Sequence, residues 1–349
     1  MSASIPSAGP GTPPIPVGPS AVDPATFWTG RRVLVTGGCG FGGGHLVIRL
    51  VALGAEVGVL DRDPEQAGVL ADSPARTQVD VVGGDVRDEA AVTGVLRRWR
   101  PQAVFHLAAQ PLVPESVRAP ADTLAVNAGG TYTLLEAVRR VDHVEAFVFA
   151  STGGYYGENH DDRPLREDDP ARAAANLYGA SKIAADVAVQ AYARTFGLPA
   201  SVCRFMNTYG PGDRQTSRLV PHAIRRLGEG GPYDFGDRDD GTTRLDFLYV
   251  GDMVEGYLRV AERLARHPGD CYNFGSGRPT AIRDVVRMVS EAYDAVARVP
   301  IFRGPRRDRP IVKSLDVTRA RTDLGWTPTV PLAEGLARTV RYAATGPPG

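Results

Sequence analysis

Short apolar runs alternate with longer amphipathic stretches from Arg31 onward, and this alternation limits the folds that the chain can adopt. The first three segments are VLVTG (33–37), HLVIRLVALG (45–54) and EVGVLDRD (56–63). Their periodicity predicts a strand, a helix and a second strand. The alternation continues as far as the strand-like run ASVCRF (200–205). Such a repeat is typical of parallel sheets, so we predict an α/β fold, namely a Rossmann-type doubly wound parallel sheet with a smaller, loop-rich C-terminal lobe.

Composition divides the chain into segments of different character. Residues 1–29 contain seven prolines and almost no charge, which predicts a disordered tail. Residues 30–205 carry the strand and helix pattern, and residues 242–272 are expected to return to the same domain. Glycine and proline are frequent in residues 206–241 and 273–349, which we assign to the smaller lobe.

Charge and cysteine content narrow the classes of function. Forty basic side chains balance forty acidic ones, so no overall field favours binding to nucleic acids or to membrane surfaces. The three cysteines, Cys39, Cys203 and Cys271, form no CxxC pair, which argues against a disulfide framework or a zinc site. No apolar stretch reaches the ~18 residues of a membrane span. We therefore expect a cytoplasmic protein without a bound metal.

A glycine-rich turn lies between the first predicted strand and helix. Gly37, Gly40 and Gly43 give a GxxGxxG pattern, in which the missing side chains let backbone amides and a helix N-terminus approach a pyrophosphate. Asp61 ends the next strand, where a carboxylate can accept hydrogen bonds from the adenosine ribose and would repel a 2′-phosphate. This pattern favours NAD over NADP, although Arg62 beside the aspartate keeps NADP open.

Two further patterns point to a cofactor and redox site. Asp85 ends the third strand, where it can meet the adenine ring or, equally well, cap the helix predicted over 88–99. Tyr178 and Lys182 form a YxxxK pair on one face of a helix-like run. A lysine ammonium near the phenol lowers the tyrosine pKa and makes Tyr178 a plausible general base. Two unrelated surface residues would give the same spacing.

With these residues in place, the chain from 31 to 345 resembles the extended short-chain dehydrogenase/reductase family, in particular its sugar-nucleotide epimerases and dehydratases. The matching segments, in order, are TGGCGFGGGH, FHLAAQPLV, AVNAGGTYTLLEA, STGGYYG, YGASK, RFMNTYGPGD, RLDFLYVGD, YNFGSG and LGWTP. Two positions depart from the family pattern. Gly42 stands where isoleucine or leucine is usual, and Gly251 stands where many relatives have aspartate.

The resemblance implies that NAD is the cofactor and a nucleotide-diphosphate sugar the substrate. Tyr178 would remove a proton from a sugar hydroxyl while hydride passes to NAD, which gives a 4-keto sugar. Thr152 would hydrogen-bond the same oxygen, and the alternative is an ordinary strand threonine. Cofactor contacts are expected at Gly37, Gly40, Phe41, Gly43, Asp61, Arg62, Asp85, Val86, Leu107, Ala108, Ala109, Asn127, Tyr178 and Lys182.

The same resemblance implies residues that bind the substrate. Asn207 and Arg244 would hold the diphosphate, and Arg306 is a further candidate with Arg307 as its rival. A solvated surface charge is the alternative for each arginine. The full set of expected substrate contacts is Gln110, Thr152, Asn207, Arg244 and Arg306.

Gly153 and Gly154, the two residues after Thr152, bear on the reaction. In the related dehydratases an acidic residue followed by an acid or a lysine occupies these positions, because loss of water across C5 and C6 needs a base and an acid. Glycine supplies neither, which favours a C4 epimerase. FHLAAQPLV and RFMNTYGPGDRQTSRLVP nevertheless look like the CDP-glucose 4,6-dehydratase branch. The alternatives are a 4,6-dehydratase, a decarboxylase of a nucleotide uronic acid and a non-catalytic dinucleotide-binding regulator.

A homodimer is expected, because helices predicted near 131–141 and 176–196 resemble those that pair as a four-helix bundle in this family. Leu134, Leu135 and Val138 recur at helical spacing on the first of these helices. The alternative is that these three side chains face the protein's own sheet.

Overall fold

Strands and helices alternate along the chain, of which the computed structural model describes residues 24–346 except 67, 158, 160–162, 173–175, 265–266, 296 and 307. The strands are β1 (Arg32–Thr36), β2 (Glu56–Asp61), β3 (Asp80–Gly83), β4 (Ala103–His106), β5 (Ala146–Thr152), β6 (Ala200–Phe205), β7 (Thr208–Tyr209), β8 (Arg244–Leu245), β9 (Leu248–Tyr249), β10 (Cys271–Phe274), β11 (Thr280–Ala281) and β12 (Val312–Lys313). The helices are α1 (Pro24–Trp28), α2 (Phe41–Ala52), α3 (Glu89–Trp99), α4 (Val113–Arg118), α5 (Pro120–Leu124), α6 (Gly130–Arg139), α7 (Leu177–Phe196), α8 (Leu219–Gly228), α9 (Val250–Arg263), α10 (Ile282–Asp294), α11 (Thr318–Leu324) and α12 (Leu332–Thr345).

Seven parallel strands form the main sheet, in the order β3-β2-β1-β4-β5-β6-β10. Alternate residues of a strand face opposite layers. Val33 and Val35 pack with residues of α2 and α9, whereas Leu34 and Val104 pack with residues of α3 and α6. The predicted Rossmann-type sheet is therefore confirmed. The strand order reverses between β1 and β4, and the crevice at the carboxyl ends of such strands is where dinucleotides bind in this class of fold.

A smaller lobe has an apolar core of its own. Strands β11, β8 and β12 form a three-stranded sheet, and α8, α10 and α12 pack against one another. The buried side chains of these helices include Val220, Leu227, Val285, Val286, Val289, Leu336 and Val340.

Two elements depart from the predicted division of the chain. β10 runs past the boundary expected at 272. α11 lies within the predicted lobe segment 273–349 but packs against β10 and α9, because Ala320 and Leu324 are buried in the core of the main sheet. The division into two lobes otherwise remains a prediction.

The predicted tail is shorter than 1–29, because α1 brings Trp28 into the core. The Trp28 side chain is fully buried, and its ring lies 5.9 Å from that of Phe105. Its Nε1 donates a hydrogen bond to Glu262 Oε1 at 2.9 Å. Burial of so large an apolar surface orders the segment. The prediction of disorder was therefore wrong for 24–29, whereas residues 1–23 lie outside the described residues.

The apolar residues first assigned to a dimer interface face the protein's own sheet. Leu134, Leu135 and Val138 of α6 are buried among residues of the sheet and of α3. The outward-facing apolar side chains on α6 and α7 are Tyr132, Val187 and Phe196, which are 42%, 51% and 54% exposed. The interpretation of the three α6 residues as interface residues was wrong, because their helical spacing reflects burial within one chain.

The described helices contain no stretch with both the length and the apolar composition that crossing a membrane requires. Within the same residues, no group of three or more His, Cys, Asp or Glu side chains is arranged to hold a metal ion.

The turn between β1 and α2 is closed by glycines. Gly37 has a φ of 73°, and a Cβ atom there would lie 2.6 Å from the backbone nitrogen of Ala108. A Cβ atom on Gly43 would lie 2.0 Å from the Gly37 carbonyl oxygen. At Gly42, by contrast, a Cβ atom would meet only the flexible end of Met253, 3.0 Å from its Cε. Helix α2 therefore approaches the end of β1 most closely at Gly43, and Met253 lies where the usual isoleucine or leucine would project.

Substitution of the turn glycines tests the close backbone approach at Gly43. Gly43→Ala should weaken NAD binding by about 5- to 100-fold, because overpacking costs about 1 to 3 kcal/mol and every 1.4 kcal/mol is about tenfold in affinity. Gly42→Ala, in the same turn, is the matched control and should bind NAD nearly as well as the wild type. Calorimetric titration of both variants with NAD provides the measurement, and equal affinities would contradict the close approach at Gly43.

Candidate active site

Two of the three predicted catalytic residues meet where β5 ends against α7. Thr152 is the last residue of β5, and its hydroxyl lies close enough to the Tyr178 phenol, in the first turn of α7, to lower the pKa of that phenol. Thr152 Oγ1 also accepts a hydrogen bond from the Gly154 backbone nitrogen at 3.1 Å. That acceptor role leaves the hydroxyl hydrogen free for the phenolic oxygen. The structure therefore places Thr152 beside Tyr178, as the catalytic hypothesis requires.

The third predicted catalytic residue, Lys182, lies one turn further along α7 and points toward β5. Its side chain is buried, and Nζ donates a hydrogen bond to the Ala150 carbonyl oxygen at 2.6 Å. Nζ also lies 4.6 Å from the centroid of the Phe149 ring. Burial lowers the pKa of the ammonium to about 7, an effect that the Asp186 carboxylate opposes. Lys182 therefore ties α7 to the strand that ends in Thr152.

Arg218, which the sequence analysis did not identify, is a cation that lowers the pKa of Tyr178. Burial raises the pKa of the phenol, whereas the Thr152 hydrogen bond and the positive charge of Arg218 lower it. The predicted effect of Lys182 on the phenol remains a prediction, and its ammonium donates to Ala150 O. Arg218 precedes α8, and no local pattern links it to the YxxxK pair.

Arg218 lies near both Tyr178 and the glycine turn. Its Cζ is 5.9 Å from the centroid of the Phe41 ring, at the start of α2. Its Nη1 is 3.2 Å from Oδ2 of Asp213, whose side chain is only 3% exposed. The buried carboxylate fixes the arginine on the side of the crevice that faces α2. Phe41, a predicted cofactor contact, is thus packed beside a positive charge suited to an anionic ligand.

Asp61, a predicted cofactor contact, accepts hydrogen bonds from backbone nitrogens at the glycine turn and just after β2. Its Oδ2 accepts a hydrogen bond from the Cys39 backbone nitrogen at 2.9 Å, and its Oδ1 accepts one from the Asp63 nitrogen at 3.1 Å. Each carboxylate oxygen has a second lone pair, so the contacts with the turn do not exhaust the carboxylate. Arg62 is exposed and, among the described residues, makes no ion pair.

Asp85 is not the helix cap that the sequence left open. Asp88 caps α3, since its carboxylate accepts hydrogen bonds from the backbone nitrogens of Ala90 and Ala91. Asp85 instead pairs with Arg87, with Oδ2 2.7 Å from Nη2, and the hydrogen bond from this guanidinium lowers the pKa of its carboxyl group. The neighbouring Val86 is buried. Both residues lie after β3, at the carboxyl edge of the sheet.

The loop after β4 is fixed by Asn127. Its Oδ1 accepts a hydrogen bond from the Gln110 nitrogen at 2.7 Å, and its Nδ2 donates to Gln110 O at 3.0 Å and to Ser181 Oγ at 2.9 Å. At the start of the loop, the Leu107 and Ala108 nitrogens donate to the Thr36 carbonyl and hydroxyl oxygens. These bonds hold the predicted cofactor contacts Leu107, Ala108 and Ala109 between β1 and α7.

Gln110 does not have the free side chain that a substrate contact needs. Its Nε2 donates hydrogen bonds to Leu112 O at 3.1 Å and to Thr123 Oγ1 at 2.9 Å, and its Oε1 accepts one from the Leu112 nitrogen. The side chain therefore stabilises its own loop, and the predicted substrate contact is not supported.

The remaining predicted substrate residues lie on the smaller lobe or face it. Asn207 is exposed and donates from Nδ2 to the Asp246 carbonyl oxygen at 3.0 Å. Arg244 is also exposed, with Nη2 3.2 Å from Pro279 O. Arg306 lies on an exposed loop, and its rival Arg307 lies outside the described residues. The structure leaves the guanidinium groups of Arg244 and Arg306 open to solvent.

Gly153 and Gly154 begin a 3₁₀ turn, Gly153–Tyr156, directly after Thr152. A Cβ atom on Gly153 would lie 2.8 Å from Met206 Cε. On Gly154 it would meet only the Thr152 side chain, at 3.4 and 3.5 Å, which is ordinary contact. A side chain at Gly153 would therefore require the end of Met206 to shift, whereas Gly154 has room for one.

A buried ion pair below this turn was missed in the sequence. Asp186 and Arg204 are 0% and 1% exposed, and the guanidinium nitrogens Nε and Nη2 lie 3.0 Å from the two carboxylate oxygens. The pair joins the middle of α7 to β6. Arg204 could not be found by local spacing, because its partner lies 18 residues away and in a different element.

The carboxyl edge of the sheet fits a dinucleotide such as NAD. Gly40 precedes helix α2 as its N-cap residue and provides no side-chain cap, so the amides of the first turn face the crevice without a competing side-chain acceptor. Gly37 and Gly43 let the backbone come close to a ligand, and Asp61 retains lone pairs for hydroxyl groups. These residues would hold the pyrophosphate and the ribose of the cofactor.

Comparison with known proteins agrees with this geometry. A UDP-glucose 4-epimerase of Mycolicibacterium smegmatis is 35% identical over 317 residues, which cover 89% of this chain and 98% of that protein. A dTDP-glucose 4,6-dehydratase of Neisseria meningitidis is 32% identical over 341 residues, which cover 89% and 93%. The crystal structure of UDP-glucose 4-epimerase with UDP-glucose from Thermotoga maritima matches with a TM-score of 0.80 at 32% identity and covers 90% of this chain and 98% of that one.

The sequence profile of one family spans most of the chain. It matches residues 33–275, from β1 to the end of β10, and therefore includes the glycine turn, Thr152, Tyr178 and Lys182. The resemblance first noted in the motifs is confirmed, and so is NAD as the cofactor. The chain belongs to the NAD-dependent epimerase/dehydratase family, within the extended short-chain dehydrogenases/reductases.

Proposed function

We propose that the protein is an epimerase that inverts C4 of a nucleotide-diphosphate sugar through a transient 4-keto intermediate. One observation carries the proposal, namely the Gly153–Gly154 pair directly after Thr152. A 4,6-dehydratase needs an acid and a base next to C5 and C6 of the sugar, and these positions supply neither. Gly154 has room for a side chain, so packing does not explain the glycine there.

The proposed chemistry uses the three residues at the end of β5 and the start of α7. Tyr178 accepts the proton of the sugar C4 hydroxyl, and the single Thr152 hydroxyl hydrogen turns from the phenol to the same sugar oxygen when substrate is bound. Lys182 keeps α7 in register with β5 through Ala150 O. NAD, when bound, accepts the hydride from C4 and later returns it. If the 4-keto sugar turns over in the site before the hydride returns, the C4 epimer results.

Exposed polar side chains of the smaller lobe, and similarity to enzymes that act on nucleotide sugars, support a nucleotide-diphosphate sugar as the substrate. Arg244 and Arg306 would bind the diphosphate, because a planar guanidinium matches phosphate oxygens. Asn207 would assist them from the end of β6. A nucleotide sugar as the substrate class is supported by the similarity to a UDP-glucose 4-epimerase and to a dTDP-glucose 4,6-dehydratase.

A 4,6-dehydratase is the second candidate, because relatives with that activity are nearly as similar to this chain as the epimerases are. That reaction would need an acid and a base from outside the glycine pair. Asp213 is an ionisable group near Arg218, and burial raises the pKa of its carboxyl group.

We also propose that the protein works in the cytoplasm as a homodimer that pairs through α6 and α7. The three cysteines are free and buried, which agrees with a reducing compartment. Tyr132, Val187 and Phe196 provide exposed apolar surface on these two helices.

An isotope experiment separates the two reactions. If hydride leaves and returns at one carbon, deuterium placed at C4 of the substrate should stay at C4 of the product, and none should enter from heavy water. A dehydratase would move the label to C6 and take up solvent deuterium at C5. Substrates should include UDP, dTDP, CDP, GDP and ADP sugars, with a 4,6-dehydratase run in parallel. A 6-deoxy product that carries solvent deuterium at C5 would refute epimerisation.

Tyr178→Phe tests the proposed base. Turnover should fall by about 100- to 10,000-fold, the usual contribution of a general base, whereas NAD should bind nearly as tightly as in the wild type. Tyr192→Phe, on the same helix but away from the sheet end, is the control and should retain turnover. Product formation and calorimetric titration with NAD measure the two effects, and near-normal activity of Tyr178→Phe would rule out this role.

The dimer is tested by mass in solution. At micromolar concentration the wild type should have twice the mass of the chain, measured by light scattering after gel filtration. Val187→Asp should shift the protein toward the monomer, because burying an unpaired carboxylate in an apolar interface is costly. Val299→Asp is the control, since Val299 is 83% exposed on the other lobe. A monomeric wild type would contradict the proposal.

A further inference from the structure

The Asp186–Arg204 ion pair is buried, and burial of two charges has a desolvation cost. Both side chains are removed from water, and the desolvation of two buried charges often equals or exceeds their attraction. Stability alone is thus a weak reason for a charged pair at this place. The contacts of the two side chains indicate a more specific role.

Arg204 contacts the turn that follows Thr152. Its Cζ lies 3.5 Å from the centroid of the Tyr155 ring, and its Nη1 donates a hydrogen bond to the Tyr156 hydroxyl oxygen at 2.9 Å. Tyr156 OH donates in turn to Asn273 Oδ1 on β10 at 2.7 Å. The guanidinium therefore holds both aromatic residues of the Gly153–Tyr156 turn.

Asp186 contacts the strand on the other side of Thr152. Its Oδ2 accepts a hydrogen bond from Ser151 Oγ at 2.6 Å. One turn earlier in α7, Lys182 donates to Ala150 O. The two residues immediately before Thr152 are thus fixed to α7, and the two residues that end the turn after it are fixed to Arg204.

Thr152 depends on the turn for its orientation. The Gly154 nitrogen donates to Thr152 Oγ1, which leaves the hydroxyl hydrogen available to the Tyr178 phenol, whose pKa Thr152 lowers by hydrogen bonding. If the turn moves, this hydrogen bond is lost and the hydroxyl can rotate away from the phenol. A chain of contacts therefore leads from Arg204 through the turn and Thr152 to the phenol of Tyr178.

We propose that Arg204, paired with Asp186, is a positioning residue that holds the Gly153–Tyr156 turn so that the Thr152 hydroxyl stays directed at Tyr178. The inference rests on the proposed role of Tyr178 as the base. It extends that role to a buried residue that touches neither substrate nor cofactor.

The pH dependence of turnover reports on this arrangement. The groups that face Tyr178 are the Thr152 hydroxyl of β5, Arg218 at the start of α8 and Tyr257 of α9, whereas Lys182 on its own helix is directed at Ala150 O. Because the Thr152 hydrogen bond lowers the pKa of the phenol, its loss raises that pKa. A base must be deprotonated to act, so the rise of activity with pH moves to higher pH.

Two variants weaken the contact from different sides. Arg204→Lys keeps a cation beside Asp186 but cannot pair with it bidentately and also reach the Tyr156 hydroxyl. Tyr156→Phe removes the hydroxyl and leaves the ion pair intact. Tyr272→Phe is the matched control, because Tyr272 is an equally buried tyrosine on β10 whose hydroxyl has no hydrogen-bond partner among the described residues.

Arg204→Lys and Tyr156→Phe should lower kcat by about 10- to 100-fold, as small misplacements of reacting groups do. They should leave KM little changed and shift the rising limb of the kcat/KM profile, which reports the pKa of the free enzyme, to higher pH. Tyr272→Phe should match the wild type. Thermal unfolding and NAD titration check that each variant is folded, and Tyr156→Phe carries the test alone if Arg204→Lys is unfolded.

The outcomes separate this inference from the proposed function. If the wild type makes a 6-deoxy product, epimerisation is refuted, and the pH profiles of that reaction still test the role of Arg204. If Tyr178→Phe is active, the base assignment fails first. If Tyr178 is the base but folded Tyr156→Phe and Arg204→Lys keep the wild-type kcat and pH profile, the positioning role alone is overturned. An equal shift in Tyr272→Phe would also overturn it.

Discussion

The register of α7 against β5 is the constraint on which the site depends. Lys182 and Asp186, one turn apart on α7, are bonded to Ala150 and Ser151, which are consecutive on β5. These two bonds determine where Tyr178 lies relative to Thr152 at the strand end. A shift of one residue along the strand would turn Thr152 to the opposite face of the sheet. Hydrogen bonds to a buried ammonium and a buried carboxylate are costly to break, so the register is strongly specified.

The sequence was most informative where function depends on local spacing. Glycines three residues apart permit a tight turn and a close backbone approach, and a spacing of four places Tyr178 and Lys182 on one helix face. Arg218 and Arg204 could not be found in this way, because their partners come from other elements. Asp85 and Asp88 illustrate the same limit at short range. Both follow β3, and only the start of α3 decides which of them caps the helix.

Helical periodicity alone also could not distinguish a subunit interface from a protein core. Leu134, Leu135 and Val138 have the spacing of an apolar face, yet that face covers the protein's own sheet. Gln110 illustrates the same limit, because its side chain makes two hydrogen bonds with Leu112 and one with Thr123 of α5. Residue type and spacing do not reveal such tertiary contacts.

The glycine turn also contains Cys39, whose backbone nitrogen is held by Asp61. The side chain is buried, and burial together with the nearby Asp61 carboxylate raises the pKa of its thiol to about 11. Only the thiolate reacts readily with oxidants and alkylating agents. At neutral pH, well below that pKa, the thiol therefore stays protonated. The dinucleotide turn can therefore contain a cysteine and still resist oxidative inactivation.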